Sequence, residues 1–184
     1  KPMRSRRPLV LTAIMAGLSV VLTRFASLRV AIAGVEGIRL GLGSLPNILV
    51  GIIAGPLYGA ASGSISDVIG FLLSPLGGGY MPHFTLTAAL SGAIPGLVFR
   101  LLSRRQSRNR VPSVWVVGIS VGVSALVVSL GLTPYFLHTL FGLPYPALYP
   151  ARAAAAAIEI PAYSILIRAV LARYGDWERP GKLR

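Results

Sequence analysis

The chain has 184 residues, of which 54% are hydrophobic and 12% are charged, and its mean hydropathy is +0.71. A soluble domain carries about 25% charged residues, so this composition cannot cover a water-facing surface and excludes a soluble enzyme. The net charge of +13 would suggest nucleic acid in a soluble protein, but here the basic residues lie between apolar stretches, as they do in membrane proteins. The chain has no cysteine, which excludes disulfides, thiol catalysis and Cys-based metal sites.

Six apolar stretches, separated by basic or Gly- and Pro-rich segments, predict six membrane-spanning helices, since a span needs roughly 20 helical residues. They cover residues 8–28, 41–54, 57–73, 83–102, 112–132 and 147–174. Gly55 and Pro56 interrupt the chain between the second and third stretches, so these two helices are expected to form a tight hairpin. We predict an all-α fold in which residues 1–184 form a single membrane domain.

Lysine and arginine concentrate in three segments, which are the N-terminus, residues 100–110 and the C-terminal end. Six helices place all three on one side of the membrane, and an excess of basic residues marks the cytoplasmic side. Both termini are therefore predicted to be cytoplasmic, and the loops at 29–40, 74–82 and 133–146 to face outward. Because functional residues concentrate on loops held by a rigid scaffold, we interpret these loops as the roof of a ligand site; the alternative is that they are plain connectors.

Asp67 lies in the middle of the third predicted helix, on a stripe with Gly59, Gly63 and Gly70. Small residues on one stripe allow a neighbouring helix to approach closely, so Asp67 is expected to face protein and not lipid. A carboxylate inside the membrane is costly and is a functional candidate. It can accept two hydrogen bonds from an amidine-like edge of a ligand; alternatively, it pairs with an arginine and is structural.

Three arginines, Arg24, Arg39 and Arg152, lie near the outer ends of predicted helices. A guanidinium binds a carboxylate through a planar fork, so this group suits a ligand with an acidic tail; snorkelling to the interface or pairing with Glu36 is the alternative. Glu159 lies two helical turns after Arg152 on the same face, about 10.5 Å along the axis and too far to pair directly. We assign Glu159 to the site, where it either lines the ligand pocket or braces Asp67 and its neighbours through a cation.

The first helix carries two pairs of small residues, Ala13 with Gly17 and Thr12 with Ala16. Either pair suits docking of another membrane protein, and internal helix packing explains them equally well.

Metal and nucleotide chemistry find no support in the sequence. His83 and His138 each stand without a second ligand at metal spacing, and the three glycines at 77–79 lack the Lys and helix of a phosphate-binding loop. We therefore expect no metal, no cofactor and no ATP hydrolysis in this chain.

Several motifs resemble the substrate-binding S components of energy-coupling factor (ECF) transporters, and the folate-specific branch most of all. They occur in family order and spacing along nearly the whole chain, at residues 21–25 (VLTRF), 38–46 (IRLGLGSLP), 54–59 (AGPLYG), 66–73 (SDVIGFLL), 79–86 (GYMPHFTL), 133–134 (TP), 149–152 (YPAR) and 160–161 (IP). His83 stands where the family usually has Gly.

The resemblance implies a six-helix protein of the bacterial plasma membrane that captures folate from outside the cell and releases it inside. Its implied partners are a transmembrane scaffold (T) protein, contacted through small residues of helix 1, and two ABC ATPases, which use the ATP. The pterin ring is expected on Asp67, between aromatic rings, with the glutamate tail directed to the arginines. The residues assigned to this site are Arg24, Arg39, Asp67, Tyr80, His83, Phe84, Thr85, Arg152 and Glu159.

Two alternatives stay open. The first is an S component for another ligand, such as a pteridine relative, a queuosine precursor or another vitamin; a ligand without a carboxylate would leave the three arginines unexplained. The second is a structural membrane protein with no small ligand, in which Asp67 is paired inside the bundle and no saturable binding occurs.

Overall fold

The computed structural model describes residues 3–32, 35–73, 79–103 and 112–177, and the side chains at 7–27, 41–73, 79–103 and 112–173 within them. In these ranges the chain is mainly helical, with one two-stranded hairpin. The elements in chain order are α1 (Met3–Phe25), β1 (Ser27–Ile32), β2 (Val35–Gly41), α2 (Leu45–Ile53), α3 (Pro56–Leu73), α4 (Pro82–Ser103), α5 (Val114–Ser124), a π-helical segment (Ala125–Leu132), α6 (Thr133–Phe141) and α7 (Tyr145–Trp177).

The segment expected to be an irregular loop at 29–40 is instead a β-hairpin. Strands β1 and β2 pair antiparallel, with Ser27 opposite Gly41 at the base and an irregularity between Val30 and Ala31. The runs on either side of the Ala-Gly pair at 33–34 each contain a Val and an Ile, and β-branched residues next to a Gly-containing turn favour two short strands. The all-α prediction is therefore wrong for this segment, although the rest of the described chain is helical.

Helix α2 is shorter than the predicted span at 41–54. It has 9 residues, or about 13.5 Å at 1.5 Å per residue, against about 30 Å for the hydrocarbon core of a bilayer. It begins only at Leu45 because β2 ends at Gly41 and residues 42–44 form a turn. It ends before Gly55, whose φ of +120° breaks the helix. Helices α3 and α4 match the predicted stretches to within one residue at each end.

The predicted loop at 133–146 is mostly helix. Residues Val114–Phe141 form one continuous helical stretch, and only three residues, 142–144, separate it from α7. Pro134 does not end the helix because it follows the π-helical segment, where the N–H of Thr133 reaches back to the carbonyl of Val128. Gly142, with φ of +66°, ends the stretch.

Four of the described helices are long and apolar enough to cross a membrane. They are Arg7–Phe25, Pro82–Ser103, Val114–Phe141 and Tyr145–Arg173. Of the six predicted spans, α2 and α3 fall outside this measure, because α2 is short and α3 is rich in Gly and Ser.

Glycine residues bring the backbones of α2, α3 and α4 into contact. A Cβ at Gly59 or Gly63 on α3 would overlap the carbonyl of Gly92 or Ala88 on α4, and a Cβ at Gly51 on α2 would also meet Gly92. Small residues allow this close approach, which stabilises membrane helices through van der Waals contact. The α3–α4 pair consequently has a fixed antiparallel register.

We predict that Gly59→Ala lowers the stability of the folded protein. Alanine favours helix over glycine by about 1 kcal/mol, but its Cβ would overlap backbone atoms of Gly51 and Gly92, and such overpacking costs about 1–3 kcal/mol. Gly122→Ala is the matched control, because a Cβ at Gly122 has no atom within 4 Å. Thermal unfolding in detergent should show a lower Tm for Gly59→Ala and an equal or higher Tm for Gly122→Ala; equal values for both would contradict the contact.

Candidate ligand site

Asp67 is joined by hydrogen bonds to two other residues that the sequence assigned to the site. The Thr85 hydroxyl on α4 donates to Asp67 Oδ2 at 2.7 Å, and the Tyr80 hydroxyl lies 2.6 Å from Thr85 Oγ1. Phe71 adds an edge-on contact to the Tyr80 ring, with 5.4 Å between ring centroids. Asp67 is half-buried and Tyr80 is 44% exposed, so the group lies within reach of a ligand arriving from outside the bundle.

The register of α3 and α4 explains why these side chains meet. Gly59 faces Gly92, Gly63 faces Ala88, and one turn further along α3 Asp67 faces Thr85. Residues four apart lie on one face of a helix. The two helices contact each other through glycine backbones, and one turn further on Asp67 and Thr85 form a polar pair between them. Asp67 therefore faces protein.

Arg24 does not contact Asp67 but binds the same helix one turn further on. Its guanidinium donates to the carbonyl of Gly70 at 2.9 Å. The last four carbonyls of a helix have no partner within it, and a cation at that end is favourable, so Arg24 caps α3. A guanidinium has five N–H donors, which leaves Arg24 able to meet an anion as well.

Arg152 lies against the π-helical segment. Its guanidinium approaches the carbonyl of Ser129 at 3.5 Å. In the π-helical register an N–H bonds five residues back, so the residue that would serve Ser129 is Pro134, which has no N–H. Arg152 thus compensates for a proline inside the helix. The side chain of Arg39 lies outside the described part of the chain; its backbone lies in β2, opposite Arg29.

Glu159 and Tyr163 hold the base of the hairpin. Glu159 Oε1 accepts from the N–H of Gly41 at 3.3 Å, and the Tyr163 hydroxyl donates to the carbonyl of the same glycine. Because the two side chains are one turn apart on α7, they bind both backbone groups of one residue. We name this contact the Gly41 clasp.

A cavity of about 530 Å³ lies beside the clasp. Its lining residues are Phe25, Ala26, Ser27, Gly41, Leu42, Ile158, Glu159, Ala162 and Tyr163. Asp67, Thr85 and Tyr80 do not line it. The two predicted acidic site residues therefore belong to different regions, with Asp67 in the α3–α4 group and Glu159 beside the cavity.

Phe84 and His83 both contact aromatic rings of α6, and Phe84 is half-buried whereas His83 is exposed. Phe84 lies against the buried cluster formed by Leu137, Leu143 and Leu148, and stacks on Phe141 with 6.4 Å between ring centroids. His83 contacts Phe136 edge-on at 5.0 Å. Both lie in the first turn of α4, next to Thr85. Among the described residues, no group of three His, Asp or Glu side chains could hold a metal ion.

The sequence interpretation missed a buried polar cluster centred on Asn47 of α2. The Asn47 amide donates to Ser19 on α1 and to Ser66 on α3, each at 3.1 Å, and its oxygen accepts from Ser62 at 2.7 Å. Ser62 and Ser66 stand four residues apart in an apolar helix, a spacing that often indicates hydrogen bonding between membrane helices. The cluster ends next to Asp67 and fixes the rotation of α3.

Comparison with known proteins places the chain in a family. A family model described as "ECF-type riboflavin transporter, S component" matches residues 3–174. The curated folate transporter FolT of Clostridium novyi (strain NT) is 32% identical over 181 residues, which is 98% of this chain and 94% of that protein. The chain belongs to the S components of ECF transporters.

Further matches agree with this assignment to the S components. FolT of Streptococcus mutans is 27% identical over 126 residues, covering 68% of this chain and 66% of that protein. A crystal structure of FolT bound with folic acid has a TM-score of 0.69 and 25% identity, with 95% of each chain covered. A second structure, of the S component of a bacterial ECF transporter, has a TM-score of 0.68 at 17% identity, over 95% of this chain and 99% of that one, and shows the shared fold.

The two small-residue pairs on α1 of this S component lie on different sides of the helix. Thr12 and Ala16 are 4% and 1% exposed and face the bundle, so their burial excludes them from docking and corrects that half of the prediction. Ala13 and Gly17 are exposed, and a Cβ at Gly17 would have no atom within 4 Å. Ala13 and Gly17 are therefore the pair that remains accessible to a partner.

We predict that breaking the Gly41 clasp exposes the base of the hairpin to solvent exchange. A hydrogen bond contributes about 1 kcal/mol, so Glu159→Ala should accelerate exchange of the Gly41 amide roughly fivefold, and Tyr163→Phe should loosen the same segment. Glu159→Gln keeps the accepting oxygen and is the matched control. Hydrogen–deuterium exchange of the peptide around Gly41 measures the effect, and identical exchange in the Ala and Gln variants would show that Glu159 does not hold this amide.

Proposed function

We propose that this S component binds folate in the bacterial plasma membrane and delivers it inward. Two of the curated relatives are named folate transporters, and one of them is similar over 98% of this chain. The proposal concerns a transport component and not an enzyme, with no cofactor in this chain and ATP used by partner ATPases.

The observation that carries the proposal is the carboxylate of Asp67, held between α3 and α4. An oriented carboxylate can accept two parallel hydrogen bonds from a planar donor edge, and the pterin ring of folate offers such an edge through its 2-amino group and ring N–H. The Thr85 hydroxyl orients Asp67 Oδ2, so the carboxylate does not need to reorganise when a ligand arrives. Tyr80 supplies an exposed ring beside it for stacking, and Phe84 and His83 complete the wall on α4.

The glutamate tail of folate would then extend toward the arginines. Arg24 lies one turn beyond Asp67 along α3 through its bond to Gly70, and Arg39 lies in the hairpin. We propose these two as the nearer carboxylate-binding groups. Arg152 contacts the π-helical segment and Glu159 contacts Gly41. We propose that both residues shape the site mainly through these contacts.

We further propose that the chain passes the membrane six times as one domain, with both termini cytoplasmic. The basic residues at the N-terminus, at 100–110 and at the C-terminal end support this orientation. The short α2 would complete its crossing with the neighbouring residues at 43–44 and the hairpin, since non-helical backbone is tolerated at membrane depth where protein surrounds it. A T protein would contact the exposed Ala13 and Gly17 of α1 and link the chain to two ABC ATPases.

Riboflavin is the second candidate ligand, because the matching family model is named for a riboflavin transporter. Riboflavin has no carboxylate for Arg24 and Arg39, and its pyrimidine edge offers one donor between two acceptors. Binding of riboflavin in preference to folate would favour this second candidate.

We predict that Asp67→Asn weakens folate binding about 10- to 100-fold, because the amide replaces one acceptor with a donor and leaves a buried polar group mismatched. Calorimetric titration of the detergent-purified protein with folate and with 5-formyltetrahydrofolate measures this change, with riboflavin, thiamine and biotin as controls. Glu159→Gln is the matched carboxylate control and should retain folate affinity. Undiminished binding by Asp67→Asn, or a greater loss in Glu159→Gln, would move the pterin away from Asp67 and toward the cavity beside Glu159.

We predict that Arg39→Gln weakens binding of folate but not of 6-hydroxymethylpterin, which has no glutamate tail. A charge-assisted hydrogen bond contributes roughly 1.5–3 kcal/mol, so folate affinity should fall about tenfold or more. Titration of wild type and variant with both ligands separates the tail from the ring, and Asp67→Asn should weaken both ligands. A loss that is equal for the two ligands in Arg39→Gln would show that Arg39 acts on the fold and not on the tail.

A further inference from the structure

The positions of the oxygen atoms around Asp67 determine which group is the donor in each hydrogen bond. A carboxylate can only accept, so Thr85, at 2.7 Å from Asp67 Oδ2, donates to it. A threonine hydroxyl has a single proton, and that proton is used by Asp67. Tyr80, whose oxygen lies 2.6 Å from Thr85 Oγ1, must therefore donate its own proton to the threonine.

The result is a one-way relay from Tyr80 through Thr85 to Asp67, and both hydroxyl protons are used within it. The polar groups that remain available to a ligand are then acceptors, namely the Oδ1 oxygen of Asp67 and the remaining lone pairs of Asp67 Oδ2 and of the Tyr80 oxygen. A ligand that meets this group must bring donors.

We propose that Thr85 and Tyr80 are specificity-determining residues, which make the site accept 2-amino-4-oxopteridines and reject 2,4-dioxo rings such as 2-oxopteridines and flavins. This inference rests on the proposed folate function and extends it to the choice among ring systems. A 2-amino-4-oxo ring places two donors side by side, the 2-amino group and N3–H. A 2,4-dioxo ring has an oxygen in place of the amino group and sets an acceptor against an acceptor.

The expected difference in affinity between the two ring systems follows from the hydrogen-bonding groups that the 2,4-dioxo ring leaves without a partner. When a site built to hydrogen-bond one group receives an analogue without it, the desolvated partner is left unpaired, which is the basis of strong rejection by polar sites. Two facing acceptors also repel. Wild-type protein should therefore bind folate at least about 100-fold more tightly than its 2-deamino-2-oxo analogue.

Thr85 determines this selectivity because it fixes the direction of the relay. In Thr85→Val the hydroxyl is absent while the shape is kept, so Tyr80 loses its acceptor and can turn its proton toward a ligand, and Asp67 loses its orienting bond. The site then offers one donor as well as acceptors, and a 2-oxo group becomes tolerated. Thr85→Ser keeps the hydroxyl and the direction of the relay.

The experiment measures the ratio of affinities for folate and its 2-deamino-2-oxo analogue by calorimetric titration of wild type, Thr85→Val and Thr85→Ser, with riboflavin as a third ligand. We expect the ratio to fall about tenfold or more in Thr85→Val, and to stay within about threefold in Thr85→Ser. A ratio is used because general loosening of the fold weakens both ligands together. Tyr80→Phe removes the other end of the relay, so it should lower folate affinity more than affinity for the 2-oxo analogue and thereby lower the ratio. It serves as the second variant if Thr85→Val does not fold, and an unchanged ratio in Tyr80→Phe would then contradict the proposal.

The outcomes separate the relay from the proposed function. If Thr85→Val binds folate and keeps the wild-type ratio, the relay does not set specificity, and the folate function stands. If wild type binds riboflavin or the 2-oxo analogue as tightly as folate, the relay is overturned, because its acceptors would face acceptors. If wild type binds no folate while it remains folded and monodisperse, the folate function and the relay fail together.

Discussion

The backbones of α3 and α4 touch at glycines, and the position of the ligand-site side chains follows from that contact. The overlap that any Cβ would create at Gly59, Gly63 and Gly92 fixes both the distance between the helices and their register. With the register fixed, Asp67 can only meet Thr85. A displacement by one residue would rotate Asp67 by about 100° around α3 and turn it away from Thr85. The glycines therefore determine the recognition chemistry although they do not take part in it.

The extended base of the hairpin depends on side chains from a distant helix. Gly41 ends β2, and its backbone groups are held by Glu159 and Tyr163, more than a hundred residues later in the chain. A two-stranded hairpin alone is marginally stable in water, so side-chain contacts at its base contribute to its order. The arrangement places β2, and with it Arg39, against a long helix that is itself apolar enough to cross a membrane.

Sequence patterns predicted the parts of the structure that depend on local composition. The bounds of α3 and α4 followed from breaker residues and apolar length, and the stripe of small residues correctly turned Asp67 toward protein. The parts that failed depend on partners far along the chain. Pro134 suggested that a helix ends there. Its neighbours in the sequence do not show that a π-helical segment precedes it, or that Arg152 approaches the carbonyl of Ser129, which Pro134 leaves without a donor. The contact of Glu159 with Gly41 could not be predicted because Gly41 offers only backbone groups, while the assignment of Glu159 to the site stays a prediction.

The Asn47 cluster limits how α1 can move. Ser19 on α1 donates to the carbonyl of Gly43 at 2.6 Å and accepts from Asn47, which is bonded in turn to Ser62 and Ser66 on α3. Rotation of α1 alone would leave buried polar groups unpaired, at a cost of about 1–3 kcal/mol for each. Helix α1 is therefore coupled mechanically to the helix that carries Asp67. A force applied to the exposed face of α1 would be transmitted through the Asn47 cluster to α3 and to the carboxylate that α3 carries.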